Sequence, residues 1–110
     1  MKKLFFTVVV LLATSFAVNA DPAKKVNLSY QDGKLKIEVI HKVNNISKHF
    51  INQIIIKADG KVIKEIDPKE QSSKQAEIVE VSLPDLKTGT KIEVVTRCSQ
   101  FGKKAGKLTL

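Results

Sequence analysis

The sequence predicts an all-β fold, an antiparallel β-sandwich of about seven strands. Most apolar runs alternate with polar residues at a period of two, which is the repeat of a half-buried strand. Turn-forming Asp, Asn, Gly and Pro residues separate these runs at short intervals. After residue 20 no segment shows a convincing repeat of an amphipathic helix, so the predicted elements are all strands.

Residues 1–20 are predicted to be a signal peptide that the mature protein lacks. Lys2-Lys3 precedes an apolar stretch, Leu4–Val18, that is too short to span a bilayer comfortably, and Val18-Asn19-Ala20 has small residues where a signal peptidase reads. A buried N-terminal helix and an uncleaved anchor are the alternatives. The sequence therefore predicts a bacterial protein that is periplasmic or secreted, with one domain at 21–110 and no membrane span in the mature chain.

The first predicted hairpin follows an extended lead-in at 21–23. Its strands cover 26–30 and 34–41, and Asp32-Gly33 between them is a strong hairpin-turn signal. Alternate residues of the second strand form an apolar face, and His41 continues this face at the strand end. We therefore expect the His41 side chain to be partly buried and within reach of a site at one end of the sandwich.

Five further strands are predicted, with a polar loop at 42–47 before the first of them. Their expected ranges are 50–57, 62–66, 77–83, 91–98 and 107–110. In the first of these strands, Phe50, Asn52, Ile54 and Ile56 are expected to share one face. Cys98 ends its strand on the inward face, as His41 does, and residues 102–106 are expected to form the last loop.

Charge and composition argue against a nucleic-acid or membrane partner. The formal charge of the 110-residue chain is +8, and it falls to +6 when the two lysines of the signal peptide leave. The remaining lysines are scattered among acids with few aromatic residues, which is typical of a solvated face. An electropositive surface that attracts small anions is the alternative.

The candidate metal ligands are His41, His49 and Cys98, which are both histidines of the chain and its one cysteine. Imidazole and thiolate are the usual ligands of transition metals. One cysteine excludes an internal disulfide framework, so the thiol is free, paired with another chain or bound to a metal. From spacing alone, a buried structural cysteine and two ordinary histidines are the alternative to a shared site.

The segment HKVNNISKHFINQIIIKADGKV, which begins at His41, and the later CSQFG at Cys98 resemble the ferrous-iron domain of desulfoferrodoxin and superoxide reductase. The resemblance covers roughly residues 24–102. It implies an immunoglobulin-like sandwich with one mononuclear non-haem iron, and His41, His49 and Cys98 as metal ligands. It also implies superoxide as the substrate and Lys48 as a catalytic cation that attracts this anion. A solvated loop lysine is the alternative for Lys48.

The chain departs from the family pattern at two further ligand positions. Lys25 and Phe101 stand where the family has histidines, Lys42 replaces the usual proline, and two extra residues separate His41 from His49. Three interpretations therefore stay open. The protein is a superoxide reductase-like enzyme with an unidentified electron donor, a metal- or partner-binding sandwich with an altered site for iron, zinc or copper, or a structural domain that dimerises through Cys98.

Overall fold

The computed structural model describes residues 23–110, and within that range it contains seven strands and no helix. The strands are β1 (Lys25–Gln31), β2 (Lys34–Ile40), β3 (Ile51–Ala58), β4 (Lys61–Ile66), β5 (Ala76–Ser82), β6 (Lys91–Cys98) and β7 (Lys103–Thr109). The predicted signal peptide and the predicted mature start at Asp21 lie outside the described residues. From Ala23 onward, no helix is long and apolar enough to cross a membrane.

The strands form two antiparallel sheets that pack face to face. One sheet has the order β1-β2-β5 and the other has the order β4-β3-β6-β7. This arrangement confirms the predicted all-β sandwich. It differs from a constant-type immunoglobulin domain in one strand, because β4 lies beside β3 and not beside β5.

Two tight turns fix which strands become neighbours. Asp32-Gly33 joins β1 to β2 and Asp59-Gly60 joins β3 to β4, as the sequence predicts. All four residues have positive φ, with values of 52° and 75° in the first turn and 49° and 85° in the second. A two-residue turn of this kind matches the twist of an antiparallel hairpin, so each turn pairs its two flanking strands directly.

The hydrophobic core lies between the two sheets and draws on both. Leu35, Ile37 and Val39 of β2 are fully buried, and they face Ile54 and Ile56 of β3 across the sandwich. Complete burial of one such side chain contributes about 1.5–3 kcal/mol. This core holds the ends of β2, β3 and β6 in place, and those ends carry the candidate ligands.

The structure corrects the face predicted for β3. Ile51 pairs with Cys98 and Gln53 pairs with Arg97, so Asn52 is an extra residue at an irregularity in the ladder. One inserted residue reverses the alternation of side chains before it. The fully buried Ile51 therefore lies on the core side with Ile54, and the predicted face that joined Phe50 and Asn52 to Ile54 is wrong.

The structure also extends the last strand, because β7 begins at Lys103 and not at residue 107. Gly106, expected in a loop, lies within β7 and against β1. A Cβ atom added at Gly106 would come 2.7 Å from the carbonyl oxygen of Val26 and 2.9 Å from its Cβ atom. Glycine is needed here for the close approach of two backbones, and not for a turn.

Candidate metal centre

Three donor side chains from three separate segments meet at one end of the sandwich. His41 follows β2, His49 lies just before β3, and Cys98 ends β6. Their candidate ligand atoms all lie within 4.8 Å of one another. His41 is 2% exposed and Cys98 is 4% exposed, while His49 is partly buried. The structure therefore brings together all three residues that the sequence predicts as metal ligands.

Gln71 holds His41 in place from the loop between β4 and β5. The Gln71 side chain is 1% exposed, and its Oε1 atom lies 2.7 Å from Nδ1 of His41. Its Nε2 group donates to the carbonyl oxygen of His41 at 2.7 Å and to that of Ser73 at 2.9 Å. The backbone N–H of Gln71 also donates to the carbonyl of Ile46, which ties its loop to the loop that carries His49.

These contacts determine the tautomer of the His41 imidazole. The carbonyl oxygens of His41 and Ser73 can only accept hydrogen bonds, so the Gln71 amide must turn its Nε2 group towards them. Its Oε1 atom then faces the His41 imidazole. An acceptor at Nδ1 requires that Nδ1 carry the hydrogen. The lone pair of His41 is then on Nε2, and a hydrogen-bonded imidazole of this kind is the usual form of a histidine ligand.

A single turn stabilised by Asn45 positions His49. The Oδ1 atom of Asn45 accepts hydrogen bonds from the backbone N–H groups of Ser47 at 3.0 Å and Lys48 at 3.2 Å. The N–H of His49 donates to the carbonyl of Asn45 at 3.0 Å. The imidazole of His49 then meets that of His41 edge to face, with ring centroids 4.8 Å apart and an interplanar angle of 86°.

A tight loop directly after β6 encloses the sulfur of Cys98. The backbone N–H of Gln100 points at Sγ over 3.4 Å, and the Cys98 N–H donates to the Gly102 carbonyl at 3.0 Å. Gly102 has φ of 99°, a conformation that favours glycine. Ser99 and Phe50 exchange two hydrogen bonds that join this loop to the start of β3. The N–H group beside the sulfur can stabilise negative charge on a metal-bound thiolate.

The other positions with an expected role contribute no ligand to the cluster. Lys48 is exposed on the turn before His49, and its carbonyl accepts a hydrogen bond from the Gln100 side chain at 3.4 Å. Lys25 is exposed on β1, and the Phe101 side chain is 64% exposed. Within residues 23–110, the cluster therefore has three donors, and a catalytic role for Lys48 stays a prediction.

The donor set fits a transition-metal ion. Bonds of about 2.0–2.3 Å to nitrogen and sulfur place the ligand atoms of a tetrahedral site about 3.3–3.8 Å apart. Separations of up to 4.8 Å would thus close by about one ångström on binding. Two imidazoles and a thiolate suit iron, zinc or copper better than calcium or magnesium, which prefer oxygen. Three protein ligands would leave at least one coordination position open.

Sequence reasoning missed Gln71, and the sequence carries no signal that marks it. The residue lies in a polar loop, DPKEQSSKQ, that contains two glutamines and resembles any solvated connection. The packing of this loop against the residues around Ile46 buries Gln71 and leaves Gln75 exposed, and the sequence does not show this packing.

No protein-family model matches the sequence, and no curated protein matches it either. Solved structures that are similar to the chain include a superoxide reductase and a hypothetical protein. A superoxide reductase from Nanoarchaeum equitans shares 17% identity with a TM-score of 0.49, over 84% of this chain and 94% of that chain. A hypothetical protein from Pyrococcus horikoshii OT3 shares 14% identity with a TM-score of 0.46. That match covers 78% of this chain and 85% of the other chain. The function therefore has to be argued from the site.

Proposed function

We propose that this protein binds one transition-metal ion through His41, His49 and Cys98. The observation that carries the proposal is the convergence of these three donors within 4.8 Å, although they come from three separate segments. The hydrogen bond from Nδ1 of His41 to Gln71 supports it, because it leaves the ligating nitrogen with its lone pair. Burial of His41 and Cys98 favours a largely preformed site, in which the donors close by only about one ångström around the ion.

Iron is the metal that we propose first, and zinc and copper suit the same donors. The sequence resemblance around His49 and Cys98 supports a mononuclear non-haem iron. Iron in such a site would supply one-electron redox chemistry. The chain itself would supply two neutral imidazoles, one electron-donating thiolate and the Gln71 contact that orients His41.

The activity that we propose for the iron-loaded protein is a slow reduction of superoxide. Superoxide takes up one electron from an external donor and two protons, and hydrogen peroxide leaves. Lys48 would attract the anion, since its exposed ammonium group lies on the turn next to His49. Loss of one contact around a metal can cost about 10–100-fold in affinity or activity, so lysine at 25 and phenylalanine at 101 should cost at least that.

The experiment that tests this activity is anaerobic loading with ferrous iron, followed by measurement of superoxide consumption and bound iron. We expect weak consumption that Cys98→Ser and His49→Ala both abolish, together with a loss of iron. Lys48→Ala should keep its iron and slow the reaction. Ser47→Ala, an exposed position on the same turn, is the matched control and should retain both properties. Equal turnover in Cys98→Ser would contradict the proposed reaction.

A second function is a metal-binding or partner-binding domain without catalysis. The exposure of Phe101 favours it, because a solvent-facing side chain at this position supplies nothing that would complete the coordination of a redox metal. Bound metal without superoxide consumption would identify this case. Dimerisation through a Cys98 disulfide has less support, since the thiol would have to be accessible and the residue is 4% exposed.

A further inference from the structure

We propose that an open, cationic cavity beside Cys98 binds a small oxyanion, such as a phosphate or a carboxylate group. The cavity has a volume of about 430 Å³, and its lining includes Asn52, Arg97, Gln100, Phe101 and Lys103. Of the three proposed metal ligands, only Cys98 lines it, and Lys48 does not. The cavity therefore adjoins the proposed metal site through Cys98 but includes neither histidine, and its two cations do not depend on a bound metal.

Two like charges lie directly opposite each other in the cavity wall. Arg97 of β6 and Lys103 of β7 are register partners, and both are exposed. Like charges at opposite positions of an antiparallel pair destabilise the sheet. The cavity lining contains no acidic residue that would offset them. An anion between the two cations would remove the repulsion and gain two charge-assisted hydrogen bonds.

A short chain of hydrogen bonds holds the Arg97 side chain. Its Nε group donates to Oε1 of Gln53 at 3.3 Å, and Nε2 of Gln53 donates to Glu65 at 2.8 Å. This contact uses only Nε, and the guanidinium group carries two further nitrogens that can donate to an oxyanion. A planar guanidinium group recognises phosphate and carboxylate oxygens in pairs, so the ligand class follows from this residue.

The irregularity in β3 places an amide side chain in the lining of the same cavity. Asn52 is the extra residue of β3, and its Oδ1 atom is buried without a hydrogen-bond partner among the described residues. An amide oxygen only accepts hydrogen bonds, so this atom can receive one from a protonated phosphate but cannot attract a carboxylate. Phe101, 64% exposed, forms an apolar part of the rim. The cavity thus combines two cations with an aromatic edge, and the two cations are what suits it to a small anionic molecule.

The test is an NMR titration of the metal-free protein with sodium phosphate, sodium acetate and sodium chloride at matched ionic strength. We expect saturable shifts of the backbone amides of residues 97–103 with phosphate or acetate, and none that saturate with chloride. Arg97→Gln and Lys103→Gln should each weaken binding by about tenfold or more, because each removes a charge-assisted contact. Well-dispersed spectra of the variants would show that they fold.

The matched control is Lys107→Gln, which removes an exposed lysine of β7 that pairs with Glu93. It should bind phosphate as the unchanged protein does. Equal weakening by Lys107→Gln, or equal saturation with chloride, would overturn the proposal, because the attraction would then be general and not local. His41→Ala should keep anion binding although it loses the proposed metal site, so the two proposals can fail separately.

Discussion

At the scale of single residues, Gln71 has the most specific role in the proposed metal centre. Replacement of Gln71 by leucine should weaken metal binding by about 10–100-fold, because the Nδ1 group of His41 loses its acceptor and the ring loses its orientation. The measurement is competition with a chelator of known affinity. The Gln71→Glu variant keeps an acceptor for Nδ1 and should recover part of the affinity.

Gln75→Leu is the control for Gln71→Leu, because it makes the same chemical change at an exposed position of the same loop. Urea unfolding of the metal-free variants separates the two effects of Gln71. A loss of stability without a loss of metal affinity would mean that Gln71 only stabilises the loop between β4 and β5. The proposed role in orienting His41 would then be wrong.

Glu77 gives a second prediction at the residue scale, for the pH dependence of stability. Burial raises the pKa of its carboxyl group above 4.5, although hydrogen bonds from the backbone and side chain of Ser72 oppose the shift. The folded protein therefore binds this proton more tightly than the unfolded chain does. This proton therefore stabilises the folded state. The stabilisation is at its full value at pH below the pKa of Glu77 in the unfolded chain, and it is lost as pH rises through the pKa of Glu77 in the folded protein.

Glu77→Gln should therefore gain stability relative to the unchanged protein over the pH range in which the folded Glu77 carboxyl group loses its proton, since the amide cannot ionise. Urea unfolding of metal-free protein across this range measures the difference. Glu80→Gln on the exposed face of the same strand is the control and should show no such trend. A stability difference for Glu77→Gln that does not change with pH would contradict the raised pKa.

At the scale of elements, the period-two pattern was sufficient to predict all seven strands and both Asp-Gly hairpins. It failed at Asn52 because one inserted residue reverses the faces, and burial of Ile51 against the opposite sheet decides where the insertion lies. It failed again at Gly106, because the sequence cannot show that β1 passes 2.7 Å from the position of a missing Cβ atom.

Gly106→Ala should destabilise the fold by about 1–3 kcal/mol, the range seen when volume is added to a packed position. The new methyl group would meet the backbone of Val26, which cannot move without disturbing the pairing of β1 with β2. Thermal and urea unfolding measure the loss. Ala105→Val adds more volume at the exposed neighbouring position of β7 and should have little effect. Equal stability of both variants would show that β1 and β7 are not in close contact.

At the scale of the whole molecule, the candidate site was predictable because its donor types are rare in this chain. With two histidines and one cysteine in the chain, only one set of two imidazoles and a thiolate can form. The strand ends bring these three side chains together. The supporting contact from Gln71 was not predictable, since glutamine is common in polar loops and only the packing of two loops selects this one.

Export is a prediction for the whole chain that intact-mass measurement can check. Protein recovered from the periplasm or the medium of a bacterial host should begin at Asp21, because Val18-Asn19-Ala20 follows a short apolar stretch with a basic start. A mass that includes residues 1–20 would contradict the predicted cleavage. Ala20→Arg should block processing and is the control for recognition by the signal peptidase.

Titration of the metal-free protein with cobalt(II), followed by absorption in the near ultraviolet, tests the central claim most directly. A thiolate bound to cobalt gives a charge-transfer band, so we predict a band that saturates at one cobalt per chain. Cys98→Ser should remove the band, His49→Ala should weaken binding, and Gln75→Leu should leave both unchanged. The absence of a saturable band, or an unchanged band in Cys98→Ser, would contradict a shared metal site at His41, His49 and Cys98.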